Sequence, residues 1–408
     1  MSGSRNENVG EGRDVRALEP AEQGTLQTQG FRIGYEVFGD PRGRPLVFLP
    51  TWQIVHMRMW KMQIPYFARR GFRVIAHDIP GNGVAERTTD PRAFEADRIA
   101  DQTIDLLDHL QIARADLVGL SSSCFRAINI AARHADRASR LVLIGSPIDP
   151  TVQRTPEEQE ELLRAFWTAH PTYEGWEKSN ARYWLDHWDE WLEFFFANCF
   201  SEPHSTKGIE DAVGWGHETT PEIIVKTRHP KNASSVSIAE QLSRVRCPVL
   251  MIHGSEDRIT PLAGAQHVIE TRPDFELTVF EGAGHIPQAR HPVKVNLEIE
   301  RFLCGGATPR WRWAPTRPKR ALFVSSPIGL GHALRDVAIA DELRTLAPGL
   351  QIDWLSQSPV TNVLKRAASA CIHSPSTSPE SRNTSSRRWE ANMTSVSSKR
   401  SAGWTRFS

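Results

Sequence analysis

From residue 31 to residue 146, short uninterrupted apolar runs alternate with segments whose apolar residues recur at helical spacing. That alternation limits the chain to very few architectures. The runs are FRIGYEVFG (31–39), RPLVFLP (44–50), FRVIAHD (72–78), ADLVGL (115–120) and RLVLIGS (140–146). Between them lie HMRMWKMQIPYFARRG (56–71), FEADRIADQTIDLLDHLQI (94–112) and CFRAINIAARHA (124–135), each with helical periodicity. A strand that is apolar throughout must be covered on both sides, and strands separated by helices run parallel. The pattern therefore predicts an α/β fold: a mostly parallel sheet with helices on both faces.

The alternation stops after residue 147 and resumes at about residue 240 with CPVLMIHG (247–254), LAGAQHVIETRP (262–273), ELTVFEGAG (276–284) and PVKVNLEIERFLCG (292–305). The interruption is helical and rich in aromatic rings, among them Trp167, Trp176, Trp184, Trp188, Trp191, Phe194, Phe195, Phe196 and Trp215. It reads as a helical cap over 148–239 inserted into a core of residues 25–147 and 240–305, with most rings packing the cap against itself. Residues 1–24 are polar and Gly-containing and are expected to be disordered. After the core, 306–320 reads as a Gly/Pro/Arg linker and 321–360 as one strand–helix–strand unit with a PIGLGH turn at 327–332. Residues 361–408, rich in Ser, Thr and Arg, read as a disordered tail.

Charge and cysteine usage narrow the partners. Lys and Arg total 49 against 48 Asp and Glu, a formal charge of +1, which gives no electrostatic footprint for nucleic acid. A small-molecule substrate is the expectation that remains. The five cysteines are scattered without a C-x-x-C pair, so neither a structural metal nor a disulfide framework is expected, and a cytoplasmic location is. No apolar stretch approaches the roughly 20 residues a membrane span requires.

The chemistry centres on ADLVGLSSSCF (115–125), where three serines follow a buried strand and precede a helix. Gly119-Leu120-Ser121-Ser122-Ser123 has the form of a G-x-S-x-G nucleophile elbow with its final Gly replaced by Ser. In so tight a turn the flanking positions must be small, and the central side chain is lifted above the sheet. That register selects Ser121, leaving Ser122 and Ser123 to satisfy the need for small residues; the bland alternative is a helix-capping serine. A serine needs a base, and the base needs an acid to orient it. Both follow in the order Ser, Asp, His: Asp257 in HGSEDRITP (253–261) and His285 in EGAGHIPQARHP (281–292), each in a loop past a strand. Such loops converge on one crevice. Asp149 in GSPIDP, after the preceding strand, is a rival acid. Asp78 is expected to tie the turn from Gly81 to Gly83, and His253, His267 and His291 are expected to be structural.

These motifs resemble those of the α/β-hydrolase superfamily over about residues 25–305. HDIPGNGVAER (77–87), GSEDRITP and GAGHIPQARHP are similar to the family's glycine turn, acid loop and histidine loop. The resemblance implies a serine hydrolase without metal or organic cofactor, with the backbone N–H groups of Trp52 and Ser122 as the oxyanion hole. Pro50-Thr51 stands where the family has His-Gly. The implied activity is cleavage of an ester or related acyl bond, with an apolar acyl or aromatic substrate suggested by the cap. Acyl transfer to another alcohol and a non-catalytic binding role on the same fold are the alternatives. The fragment at 320–360 resembles the opening of a GT-B glycosyltransferase, with His332 at the position of a base; the donor-sugar half of that family is missing, so no transferase activity is expected.

Overall fold

The computed structural model describes residues 17–152, 154–229, 234–306, 320–325, 330–356, 360–371 and 405–407. The first sixteen residues, the linker between 307 and 319, residue 326 with residues 327–329 of the PIGLGH turn, and the tail between 372 and 404 lie outside them. The chain divides into two compact units, Met1–Pro309 and Arg310–Ser408.

The first unit is built on eight strands: β1 (Glu22–Thr28), β2 (Phe31–Phe38), β3 (Arg44–Phe48), β4 (Phe72–Asp78), β5 (Ala115–Leu120), β6 (Ala138–Ile144), β7 (Val249–Gly254) and β8 (Glu276–Phe280). They form one sheet in the order β1-β2-β4-β3-β5-β6-β7-β8. β2 is antiparallel to β1 and β4, and every other pairing is parallel. The helices of this unit are α1 (Ile64–Ala68), α2 (Ala96–His109), α3 (Ser122–Arg133), α4 (Pro156–Trp167), α5 (Ala181–Asp186), α6 (Trp188–Cys199), α7 (Thr206–Gly216), α8 (Pro221–Lys226), α9 (Ile238–Arg244), α10 (Leu262–Thr271), α11 (Pro287–Arg290) and α12 (Pro292–Cys304).

Side chains alternate across a strand, so each apolar run supplies two cores. Val47, Leu49, Leu117, Leu143 and Met251 point to one face, where they meet Leu106, Leu107, Ile128, Leu242 and Val268 of α2, α3, α9 and α10. Leu46, Phe48, Val118, Val142 and Ile252 point to the other, against Trp60, Phe67, Val295, Ile299 and Phe302. Each fully buried large apolar side chain of these clusters contributes roughly 1.5–3 kcal/mol. A third cluster belongs to the helices between β6 and β7: Trp184, Trp191, Leu192 and Phe196 are buried together, with the Trp184 and Trp191 rings stacked 4.9 Å apart.

Three elements depart from the sequence reading. The segment 56–71 is not one helix but a 3-10 turn (Met57–Trp60) followed by α1. Pro65 has no N–H to give to a preceding turn, so the helix restarts there with proline in its first turn. β1 begins at Glu22, within the polar stretch: EQGTLQT has a single large apolar residue, yet as an edge strand it needs to bury only one side against β2. In the second unit, β9 (Arg320–Ser325) and β10 (Gln351–Ser356) pair in parallel around α13 (Leu330–Leu346). α14 (Val360–Cys371) then runs past the expected end of structure because Val360 and Leu364 cover Ile352 and Trp354. β11 (Thr405–Phe407) pairs antiparallel with β10.

Candidate active site

Ser121 sits between the last residue of β5 and the first of α3, at φ 54° and ψ −123°. A non-glycine residue there carries strain of order 1–3 kcal/mol, which the surroundings must hold. They do so with a dense set of bonds. The Ser121 N–H donates to Ile144 O (2.8 Å) and Ser121 O accepts from the Cys124 N–H (2.9 Å). Ser123, fully buried, accepts from the Leu120 N–H at 2.6 Å and donates to Leu120 O at 2.8 Å, so its hydroxyl closes the turn as well as being small. A Cβ on Gly119 would lie 2.8 Å from Ser123 O, which explains the glycine two residues before the serine. Cys124 is inert in this setting, since burial pushes its thiol up to about 12.

Asp257 and His285 occupy the loops after β7 and β8, and these loops touch: a Cβ on Gly254 would fall 2.2 Å from the carbonyl oxygens of both Ala283 and Gly284. The contact brings His285 Nδ1 to 2.8 Å from Asp257 Oδ2. The carboxylate is fully buried and saturated. Oδ1 accepts from the Ile259 and Thr260 N–H groups, both at 2.8 Å, and Oδ2 also accepts from Thr260 Oγ1 at 2.7 Å. Burial alone raises the Asp257 pKa. The hydrogen bond and charge of His285, with the bonds from Thr260, outweigh it and hold the carboxyl below its ordinary value. Behind it, His253 bonds Thr260 O at 2.8 Å and lies 3.4 Å from Asp257 Oδ2. The His285 ring rests on Gly145, where a Cβ would come within 3.0 Å of Nδ1.

The rival acid is elsewhere. Asp149 bonds Thr151 and the His267 ring at 3.1 Å, not His285. Asp78 accepts from the Met57 and Val84 N–H groups, at 2.7 and 2.9 Å, and so ties the glycine turn as expected. His56 bonds Glu218, and the Trp60 indole donates to Leu49 O, both packing roles.

On the other side of Ser121 runs the loop after β3. Thr51 Oγ1 donates to Leu120 O (2.7 Å) and lies 3.3 Å from Ser122 Oγ, stitching this loop to the serine turn. The Trp52 indole donates to Thr227 Oγ1 at 2.8 Å and packs tilted against Trp184 and edge-on to Phe195. Ser122 opens α3, so its N–H belongs to the first turn, which has no intrahelical acceptor. Arg126, buried one turn further along α3, donates to the carbonyls of Pro50 and Thr51. Sequence reasoning missed Arg126, Thr260 and Gly145. The first had a signal: a cation inside CFRAINIA, an otherwise mostly apolar helical run.

Ser121 and His285 share the wall of a cavity of about 360 Å³ with Trp52, Phe195, Phe196 and Trp215. Lys61 pairs with Asp211 at its rim, and Lys207 lies 2.8 Å from the same carboxylate. Among the described residues no cluster of three His, Cys, Asp or Glu side chains could hold a metal ion. Nor is any described helix long and apolar enough to cross a membrane.

The family model described as "Alpha/beta hydrolase family" matches residues 46–298. The chain belongs to this family. It is an enzyme of the hydrolase type. The chain is 27% identical to the 3-oxoadipate enol-lactonase 2 of Acinetobacter baylyi, over 68% of this chain and 96% of that one. It is 26% identical to the non-heme chloroperoxidase of Kitasatospora aureofaciens, over 67% and 96%. The solved esterase from Exiguobacterium antarcticum superposes with a TM-score of 0.57 at 18% identity, over 69% of this chain and all of its own. That last likeness concerns the fold alone. Like the fold itself, the match stops short of the second unit.

Proposed function

We propose that this hydrolase cleaves an ester or related acyl bond through an acyl-enzyme on Ser121. One observation carries the reading: a strained serine at a strand–helix turn shares a cavity wall with a histidine whose far nitrogen is 2.8 Å from a buried carboxylate. With Nδ1–H donated to Asp257, Nε2 is the basic nitrogen of His285 and takes the proton as Ser121 Oγ adds to the substrate carbonyl. Asp257 stabilises the imidazolium that results. The Trp52 and Ser122 N–H groups receive the charge on the carbonyl oxygen. His285 then returns the proton to the departing alcohol, leaving the acyl group on Ser121, and the same steps with water in place of serine release the acid. No metal or organic cofactor enters the scheme.

The aromatic and apolar wall supports an apolar acyl or ring-bearing small molecule as substrate. Cys124, Cys199, Cys247 and Cys304 are unpaired thiols, which supports a reducing, cytoplasmic setting. Against a purely binding role stands the strain at Ser121, which a passive scaffold has no use for. The enol-lactonase relative supports hydrolysis of a cyclic ester as one form of the reaction. For the second unit, the order strand, helix, strand supports a remnant of a GT-B fold, with exposed His332 near the start of its helix and no transferase activity of its own. Turnover of p-nitrophenyl esters from acetate to decanoate tests the main reading. Hydrolysis that peaks at a short or medium chain and vanishes in Ser121→Ala supports it; hydrolysis that survives the substitution sinks it.

A further inference from the structure

Arg126 is an unusual residue to find behind a strained serine. Its side chain is buried, and its hydrogen-bond partners are two main-chain carbonyls, Pro50 O and Thr51 O (the latter at 2.5 Å), rather than a carboxylate. Burying a guanidinium among neutral groups carries a desolvation cost that well-packed apolar side chains would avoid. Burial draws its pKa down to about 9, so it still carries its charge at neutral pH. Buried His77, close enough to feel that charge, is held down to about 3 by desolvation and by the cation. A neutral residue at 126 would serve packing better, as its neighbours Ala127, Ile128 and Ile130 do.

The two carbonyls are those of the loop that carries Trp52. In a trans peptide the C=O and the N–H point in opposite directions, so fixing Thr51 O on Arg126 turns the Trp52 N–H away from the guanidinium, and Thr51, Trp52 and Ser121 all line the cavity. The family's His-Gly is replaced here by Pro50-Thr51, and Thr51 Oγ1 holds the same loop to Leu120 O. A cation on the carbonyl also polarises the peptide and makes its N–H a stronger donor. We infer that Arg126 is a positioning residue that aims and strengthens the Trp52 N–H of the oxyanion hole. The inference rests on the acyl-enzyme reading above.

The test uses the full chain. Removing one oxyanion donor outright costs roughly 100- to 1,000-fold in kcat, so loosening one should cost roughly 10- to 100-fold. Arg126→Met is expected to lose that much in kcat on a p-nitrophenyl ester, with KM within about threefold of wild type. Arg126→Lys, which keeps the charge on a narrower donor, should recover part of the loss. A trifluoromethyl ketone, which forms the tetrahedral adduct on Ser121, should lose affinity by the same factor as kcat, while the unreactive methyl ketone of equal shape binds as before. A structural role alone would lower the melting temperature and leave the two ketones in step. If Arg126→Met does not fold, Arg126→Lys carries the test: a kcat several-fold below wild type at unchanged KM supports the inference, and wild-type kcat overturns it. An active wild type whose folded Arg126 variants keep full kcat refutes the inference alone. A wild type that hydrolyses no ester refutes the acyl-enzyme reading and this inference with it.

Discussion

Asp257→Asn isolates the acid from the rest of the site. The two main-chain donors on Oδ1, Ile259 and Thr260, each at 2.8 Å, select the orientation of the new amide: its oxygen must face them. The NH₂ then takes the place of Oδ2, opposite His285 Nδ1 and Thr260 Oγ1. Thr260 can turn its hydroxyl to accept, so the fold loses about 1 kcal/mol at most. His285 cannot adapt without cost. It must accept at Nδ1, which places its proton on Nε2, the nitrogen meant to take the proton from Ser121. The wrong tautomer lowers kcat about 10⁴-fold where this arrangement has been dissected, about 5.4 kcal/mol of transition-state stabilisation. Because its hydrogen bonds hold Asp257 below the usual range, the wild-type carboxylate is charged in an assay at neutral pH. The assay is steady-state hydrolysis of p-nitrophenyl butyrate with melting curves alongside. Asp149→Asn, whose partners are Thr151 and His267, serves as control and should stay within about twofold. A nearly active Asp257→Asn with a crippled Asp149→Asn would refute the reasoning.

Three further outcomes follow from the same geometry. Gly145→Ala places a methyl 3.0 Å from His285 Nδ1 at a position with φ +52°, so it should reduce turnover at least tenfold and lower stability by about 1 kcal/mol or more, read by kinetics and thermal melts. Asp97 accepts from Ser234, Ser235 and Asn129; burial raises its pKa, but these bonds bring it down to about 2 from an ordinary 3.8. A depressed value contributes stability above the unfolded pKa and loses it as pH falls through the folded one. Asp97→Asn should therefore lower the melting temperature at pH 7, with the gap to wild type closing between pH 4 and pH 2. Truncation after residue 310, at the boundary of the first unit, should leave ester turnover within roughly threefold of the full chain. Loss of folding or activity on truncation would assign the second unit a part in the first.

Much of the architecture was legible in the sequence because buried parallel strands leave little to interpretation: FRVIAHD and ADLVGL coincide with β4 and β5 to the residue. β1 was not, because an edge strand half open to solvent needs few apolar residues, and EQGTLQT has only Leu26 to show. The helix expected over 56–71 overlooked how firmly Pro65 resets the backbone. For the site, the elbow motif, the order Ser, Asp, His and the loop positions point to Ser121, Asp257 and His285; their spatial relation depends on contacts between loops such as Gly254 against Ala283 and Gly284, which no local pattern encodes. Ser123 was legible as small but not as a hydrogen-bonding closure of the turn. Arg126 and Thr51 were visible only as oddities, because their meaning lies in carbonyls seventy residues and more away from the arginine in the chain.

The central claim is that Ser121 is the nucleophile, and the most direct measurement is the site of covalent labelling by a fluorophosphonate, located by peptide mass spectrometry. The account predicts one modified residue, Ser121, with labelling abolished in Ser121→Ala and in heat-unfolded protein but retained in Ser122→Ala and Ser123→Ala. A label on Ser122 or Ser123, or one that persists in Ser121→Ala, would contradict it.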